Sequence, residues 1–194
     1  MRLIALAALL AYAVTARAAA PAEFPHVADT SFVEANGDRS IQLSIIIAAP
    51  PEKVFAAFAT IEGWKSWAVP FALGEPRVGG VIETSYDPAA KAGDPGNIQN
   101  QIAAWIPNRL VVLKNLKAPA GFEHADLFAK TATIIELAPE GAGTKVTLSG
   151  VGFGAGPGFD ALYAGFSWGN AYGLENLKRA VEDGPIDWAK ALKE

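Results

Sequence analysis

The sequence predicts an α+β fold, a curved antiparallel sheet wrapped around one long C-terminal helix, with two short helices after the first strand. Three observations predict it. Residues 158–182 follow a Gly-Pro-Gly breaker and place Phe159, Leu162, Tyr163, Phe166, Leu174, Leu177 and Val181 at helical spacing on one face. Residues 81–151 break into strand-length runs separated by Gly, Pro, Asn and Asp, the pattern of successive hairpins. Two short helical segments stand between the first strand and this run, and strands followed by one helix make an α+β layer arrangement. A sheet that buries its inner face against a single helix must curve, and such a grip encloses a cavity.

The elements follow in order. Arg2, an apolar run over 3–14 and the small-x-small triplet Ala16-Arg17-Ala18 have the form of a signal peptide, with cleavage expected after Ala18. The apolar run is too short for a membrane span, and no other segment could span a bilayer. The expected destination is the periplasm or the exterior, unless the segment is retained as an anchor. Residues 19–30, rich in Ala and Pro and without period, read as a flexible leader. Residues 31–184 form the single domain, and 185–194 a tail with one or two helical turns.

Within the domain, 32–48 reads as strand, broken by the turn Asn36-Gly37-Asp38 and ending in a well-buried Ile45-Ile46-Ile47. Pro51 suits the first turn of a helix over 52–60, and a second helix covers 61–67, with Gly63 dividing the two. Strands are expected over 81–86, 97–106, 109–116, 131–137 and 144–151. Residues 87–96 are a loop, 117–127 a connection without a clear pattern, and 152–158 a glycine-rich hinge.

Composition narrows the function. Removing residues 1–18 takes away Arg2 and Arg17 and moves the net charge from −4 to −6. Such a chain is a poor partner for nucleic acid. With no cysteine, disulfides, thiol chemistry and thiolate metal sites are excluded. The two histidines, His26 and His124, have no metal-ligand spacing, so no metal and no cofactor is expected. The alternating glycines of 150–156 lack the Lys-Ser/Thr pair and βαβ setting of a phosphate loop, and no Gly-x-Ser-x-Gly or His-Glu-x-x-His motif is present.

Five stretches, IIIAAPPEKVFAAFATIEGWKSW, PRVGGVIETSY, IAAWIPNRLVVL, ELAPEGAGTKVTLSGVGFG and LENLKRAVEDG, resemble in order and spacing the START-like superfamily over about residues 40–184. The resemblance is closest to its polyketide-cyclase and ATPase-activator-like SRPBCC branch. It implies a helix-grip fold with a hydrophobic cavity between sheet and long helix, and no universal catalytic set. Relatives often carry Gly-Trp in the last helix, where this chain has Gly169-Asn170.

The long helix carries the sharpest signal. Gly165, Gly169 and Gly173 recur every fourth residue, and each costs roughly 1 kcal/mol against Ala inside a helix. They imply close approach or space left free. Asn170, on the apolar face, is expected either to meet a ligand or to bond a strand backbone or buried water. Trp168 points about 160° away from it on an ideal helix. Trp64 and Trp67 are expected to cover the cavity mouth, and Phe71, Tyr86, Phe153, Phe166, Gly169 and Gly173 to add to its lining. Gln99, Gln101 and Trp105 share strand parity; simple alternation favours the opposite set, Ile98, Asn100 and Ile102, as inward, so Gln101 is the weakest member of the expected lining. Tyr86, His124 and Asp126 are the weak candidates for acid–base chemistry, and Glu83 is expected at the surface.

The expected function is an exported binder or carrier of a small apolar or amphipathic molecule. A cyclase or dehydratase using the same cavity and a protein-interaction module are the alternatives. Homodimerisation is left open.

Overall fold

A computed structural model describes residues 23–192. The signal-peptide expectation falls on residues outside that range. The strands are β1 (Ala28–Asp29), β2 (Phe32–Val33), β3 (Arg39–Ile47), β4 (Phe71–Gly74), β5 (Val81–Ser85), β6 (Ile98–Ile106), β7 (Leu110–Lys117), β8 (Ala132–Glu140) and β9 (Gly143–Phe153). The helices are α1 (Pro51–Ala59), α2 (Ile61–Trp67), α3 (Ala125–Phe128), α4 (Pro157–Asp183) and α5 (Trp188–Ala191). The sheet runs β1-β3-β9-β8-β7-β6-β5-β4, every pair antiparallel, with β2 also on β3. This is the expected helix-grip architecture: a curved open sheet gripping α4.

The curvature has local causes. Register shifts occur between Arg39 and Ile41 in β3, and between Gln99 and Asn100 and again between Ile102 and Ala104 in β6. Each such irregularity bends and twists its strand. The second shift in β6 also resets parity. Ile102 pairs with Leu113, whereas Trp105 pairs with Val111, which is fully buried. Trp105 therefore leaves the face of Gln99 and Gln101, turns inward and meets Phe55 edge-on at 4.9 Å. Alternation in β3 is strict where a continuous buried run was expected: Ile41, Leu43, Ile45 and Ile47 face the core, and Ile46 is exposed.

Pro51 occupies the first turn of α1, and α1 and α2 are divided at Thr60, whose Oγ1 accepts the Gly63 N–H at 2.9 Å. Gly63 lies inside α2. A Cβ there would come within 2.6 Å of the Ala56 carbonyl oxygen, so only glycine lets α2 press on the carbonyl end of α1.

The helix α4 has 27 residues, about 40 Å at 1.5 Å per residue. Its C-terminal half closes the core with Leu174, Leu177 and Val181. Glu182 pins that half to the end of β3, accepting the Ala48 N–H at 2.6 Å and Lys178 Nζ at 2.7 Å, while Lys178 also donates to the Ile46 carbonyl at 3.0 Å. Burial pushes the Glu182 carboxyl up, and the Ala48 and Lys178 contacts overcome it, leaving its pKa lowered.

The leader differs from expectation. From Glu23 it packs across the outer face of α4. Phe24 is buried and meets Trp168 edge-on at 5.7 Å, Trp168 Nε1 donates to Glu23 Oε2 at 3.1 Å, and Trp168 stacks on Tyr172. The His26 backbone N–H donates to Glu175 Oε1 at 3.0 Å. Proline and alanine hide this docking from sequence periodicity, because two apolar anchors, Phe24 and Val27, suffice to hold it. Among the described residues, no helix is long and apolar enough to cross a membrane.

Candidate functional site

Between the sheet and the N-terminal half of α4 lies a cavity of about 550 Å³, within the size range of small-molecule sites. From the helix, Ala161, Leu162, Gly165, Phe166, Gly169, Asn170 and Gly173 face it. From the sheet come Thr84, Ile98, Asn100, Leu113, Asn115, Thr133, Ile135 and Leu148. The connection between β7 and β8 contributes Pro119, Phe122, Glu123, His124 and Phe128. Tyr86, Phe122, Glu123, Ala161 and Gly165 line it and also reach solvent, which marks its opening.

The glycines make the space. Beyond the adjoining helix backbone, a Cβ built on Gly165 or Gly169 would meet nothing within 4 Å, and one on Gly173 would meet only Trp67 Cζ3, at 3.6 Å. Close packing of protein interiors leaves few voids larger than a water. A stripe of missing side chains beside a cavity of this size is therefore a structural departure from core packing.

Trp64 and Trp67 line the cavity as buried side chains and do not cover its mouth as expected, and their orientation is set by α1. Trp64 Nε1 donates to the Phe58 carbonyl at 3.0 Å and Trp67 Nε1 to the Ala57 carbonyl at 3.1 Å. Both bonds satisfy last-turn carbonyls of α1 that have no helical partner. Phe58 packs edge-on against both indoles, at 5.8 and 5.2 Å. With their N–H groups engaged, the indoles offer the cavity apolar surface only.

The polar part of the lining is mostly amide and hydroxyl. Asn100 Nδ2 donates to Asn115 Oδ1 at 2.6 Å, Asn115 Nδ2 donates to Thr131 Oγ1 at 2.6 Å, and Thr131 Oγ1 donates to the Phe128 carbonyl at 2.8 Å. This chain ties β6, β7 and the segment before β8 together. Across the cavity, Asn170 Nδ2 is shielded from solvent and makes no hydrogen bond. The sheet backbone and side chains do not reach it, so the expectation of an Asn bonded to a strand is not met.

His124 lines the cavity in a left-handed backbone conformation, φ 62°, just before α3. Its ring packs against Gly158, where a Cβ would approach His124 Nδ1 to 3.1 Å, and its Nε2 lies 3.5 Å from Glu123 Oε1. Tyr86 is half-exposed at the opening. Desolvation raises its hydroxyl pKa above the ordinary value, and Tyr172 adds to the rise. Near neutral pH it is a phenol and no base.

Four sequence expectations are corrected. Phe71 lies on β4, paired with Ser85, away from the cavity. Gln101 points to the other face of β6, where its Nε2 donates to the Gly79 carbonyl at 3.3 Å. Phe153 is fully buried behind the lining, between Tyr163 and Phe166, each 5.5 Å away. Asp126 is exposed on α3 outside the cavity, so it forms no dyad with His124 there. Trp64, Trp67, Tyr86, Phe166, Gly169, Asn170 and Gly173 do come together around one space. Missed were Asn115, which the alternation Val111, Leu113, Asn115 in β7 places inward, and Pro119, Phe122 and Phe128 of a connection without periodic signal, whose His124, an expected site residue, does line the cavity.

Glu83 is also a correction, being buried and not at the surface. It accepts the Gly93 N–H at 2.7 Å, Asn97 Nδ2 at 2.5 Å and Gln99 Nε2 at 3.4 Å, anchoring the loop between β5 and β6. The Asn97 bond lowers its pKa, burial works against that, and the Gly93 and Gln99 bonds and Lys117 complete a net lowering. Among the described residues, no group of His, Asp and Glu could hold a metal ion.

A curved antiparallel sheet, a long gripping helix and a cavity between them define a START-like, SRPBCC-type domain. The chain belongs to the polyketide cyclase / dehydrase and lipid transport family, whose model matches residues 38–182. Among solved structures it is similar to the Aha1 dimer from Colwellia psychrerythraea, with 24% identity over 75% of this chain and 97% of that one, and a TM-score of 0.57. Protein MLL2253 from Mesorhizobium loti matches with 20% identity, 76% and 100% coverage and a TM-score of 0.62. CalU16 from Micromonospora echinospora matches with 20% identity, 83% and 86% coverage and a TM-score of 0.53. At these identities the likeness concerns the fold. No curated protein shows significant similarity to the chain.

Proposed function

We propose that the protein is an exported binder or carrier of a small hydrophobic or amphipathic molecule, held between the sheet and the N-terminal half of α4. The observation that carries this reading is the cavity of about 550 Å³ beside Gly165 and Gly169, where nothing beyond the adjoining helix backbone lies within 4 Å of the missing Cβ positions. An apolar occupant would remove the facing surfaces of Trp64, Trp67, Phe166 and Leu148 from water, a gain of roughly 25 cal/mol per Å². The family's lipid-transport description agrees with such a role. Export rests on the pattern of residues 1–18 alone.

The test is a thermal-shift and tryptophan-fluorescence screen against a library of lipids and aromatic compounds. A bound ligand raises the melting temperature by mass action and perturbs Trp64 and Trp67. No shift across the library, with unchanged fluorescence, overturns the proposal.

A chemical role in the same cavity has one observation in its favour: Tyr86 and His124 both line it. Binding is the better-supported reading because Asp126 lies outside and Tyr86 remains protonated near neutral pH. Turnover of a cyclisable polyketide analogue, lost in His124→Ala, would favour the chemical role instead.

A further inference from the structure

We infer that the ligand is a neutral molecule bearing an oxygen acceptor, such as an ester, ketone or alcohol, and that the amide of Asn170 selects it; this rests on the carrier reading above. Among the described residues, four buried side-chain atoms lack a hydrogen-bond partner: Asn97 Oδ1, Ser167 Oγ, Asn170 Nδ2 and Asn176 Nδ2. Of these residues, only Asn170 lines the cavity. An unpaired amide in an apolar setting is costly, and the cavity beside it is where a partner can enter. Nδ2 is shielded in the present rotamer, and the last torsion of an Asn side chain is broad, so a turn of the amide brings this unpaired donor to an occupant's oxygen.

The lining also says what the polar group is not. Among the described residues, no Lys or Arg lines the cavity. The imidazole of His124, which does line it, has the Glu123 carboxylate beside it, with Oε1 3.5 Å from Nε2. A carboxylate or phosphate buried here would lose its hydration without gaining a counter-charge. A neutral oxygen loses far less, and the Asn170 amide answers it. On the sheet side, Asn100 Nδ2 is engaged by Asn115, whereas Asn100 Oδ1 has no partner among the described residues, so a hydroxyl could also donate there.

The test uses a matched series, decane, decanol, methyl decanoate and decanoic acid, read by displacement of a fluorescent apolar probe near neutral pH. Decanol and methyl decanoate should bind at least roughly tenfold tighter than decanoate. Asn170→Leu should remove the advantage of the oxygenated compounds over decane while keeping decane bound; Asn170→Gln should keep part of it. Decanoate binding as tightly as the ester, or an Asn170→Leu variant with its head-group preference intact, overturns the inference and leaves the carrier reading standing. Failure of all four compounds to displace the probe overturns both.

Discussion

The indole N–H of Trp67 donates to the carbonyl oxygen of Ala57 at 3.1 Å, so a residue that faces the cavity is held by the end of α1. Structure and site share this side chain. Trp67→Phe keeps an aromatic surface but strands a buried carbonyl, and should destabilise the protein by about 1–3 kcal/mol. Urea denaturation measures it. Ligand affinity should change less than stability, and the reverse ordering would mean the indole N–H serves the ligand.

Gly169→Leu adds a Cβ at a point with nothing beyond the adjoining helix backbone within 4 Å, and extends the side chain from there. Helix propensity improves by close to 1 kcal/mol, so the melting temperature should hold or rise. Probe binding should fall at least about tenfold, because the added side chain occupies ligand volume. Asn170→Trp, which puts an indole into the same space, should also fold and bind less.

Phe24→Ala should cost about 3 kcal/mol, the usual loss for a buried phenylalanine, since Phe24 is 5% exposed and packs on Trp168. Trp168 lies on the face of α4 away from the cavity, so ligand binding should survive. A variant as stable as the parent in chemical denaturation would mean the leader does not dock in solution.

Acid should weaken the fold through Glu83. Its folded-state pKa lies below the ordinary carboxylate value, so its stabilising contribution is present above the unfolded pKa and fades as pH falls through the folded one. Glu83→Gln should be less stable than the parent near neutral pH, with the two converging in acid. Denaturation curves across that range check it. A constant difference would assign the effect to shape and not to charge.

Much of the architecture was legible because hydrophobic period and turn chemistry act locally. The boundaries of α2 and the extent of α4 follow from the spacing of Trp64, Trp67 and the apolar face of 159–181. The glycine stripe was legible for the same reason: at every fourth residue it must share one helix face. What was hidden depends on tertiary geometry. The shift between Ile102 and Ala104 reverses the face of Trp105, and no local signal marks it. Phe153 reads as lining and is displaced behind it by Phe166 and Tyr163. Phe122 at the opening and Phe128 in the wall, 5.8 Å apart, belong to a connection without period that packs on α4 through Phe128 and Phe166.

The central claim is that the space over Gly165 and Gly169 is filled by a ligand in the working protein. Native mass spectrometry of the protein purified from its own host tests this most directly, run beside a Gly169→Leu variant prepared the same way. The parent should carry a non-covalent adduct of small-molecule mass, and the variant should lack it. A parent without any adduct, or a variant that carries the same adduct at the same occupancy, would contradict it.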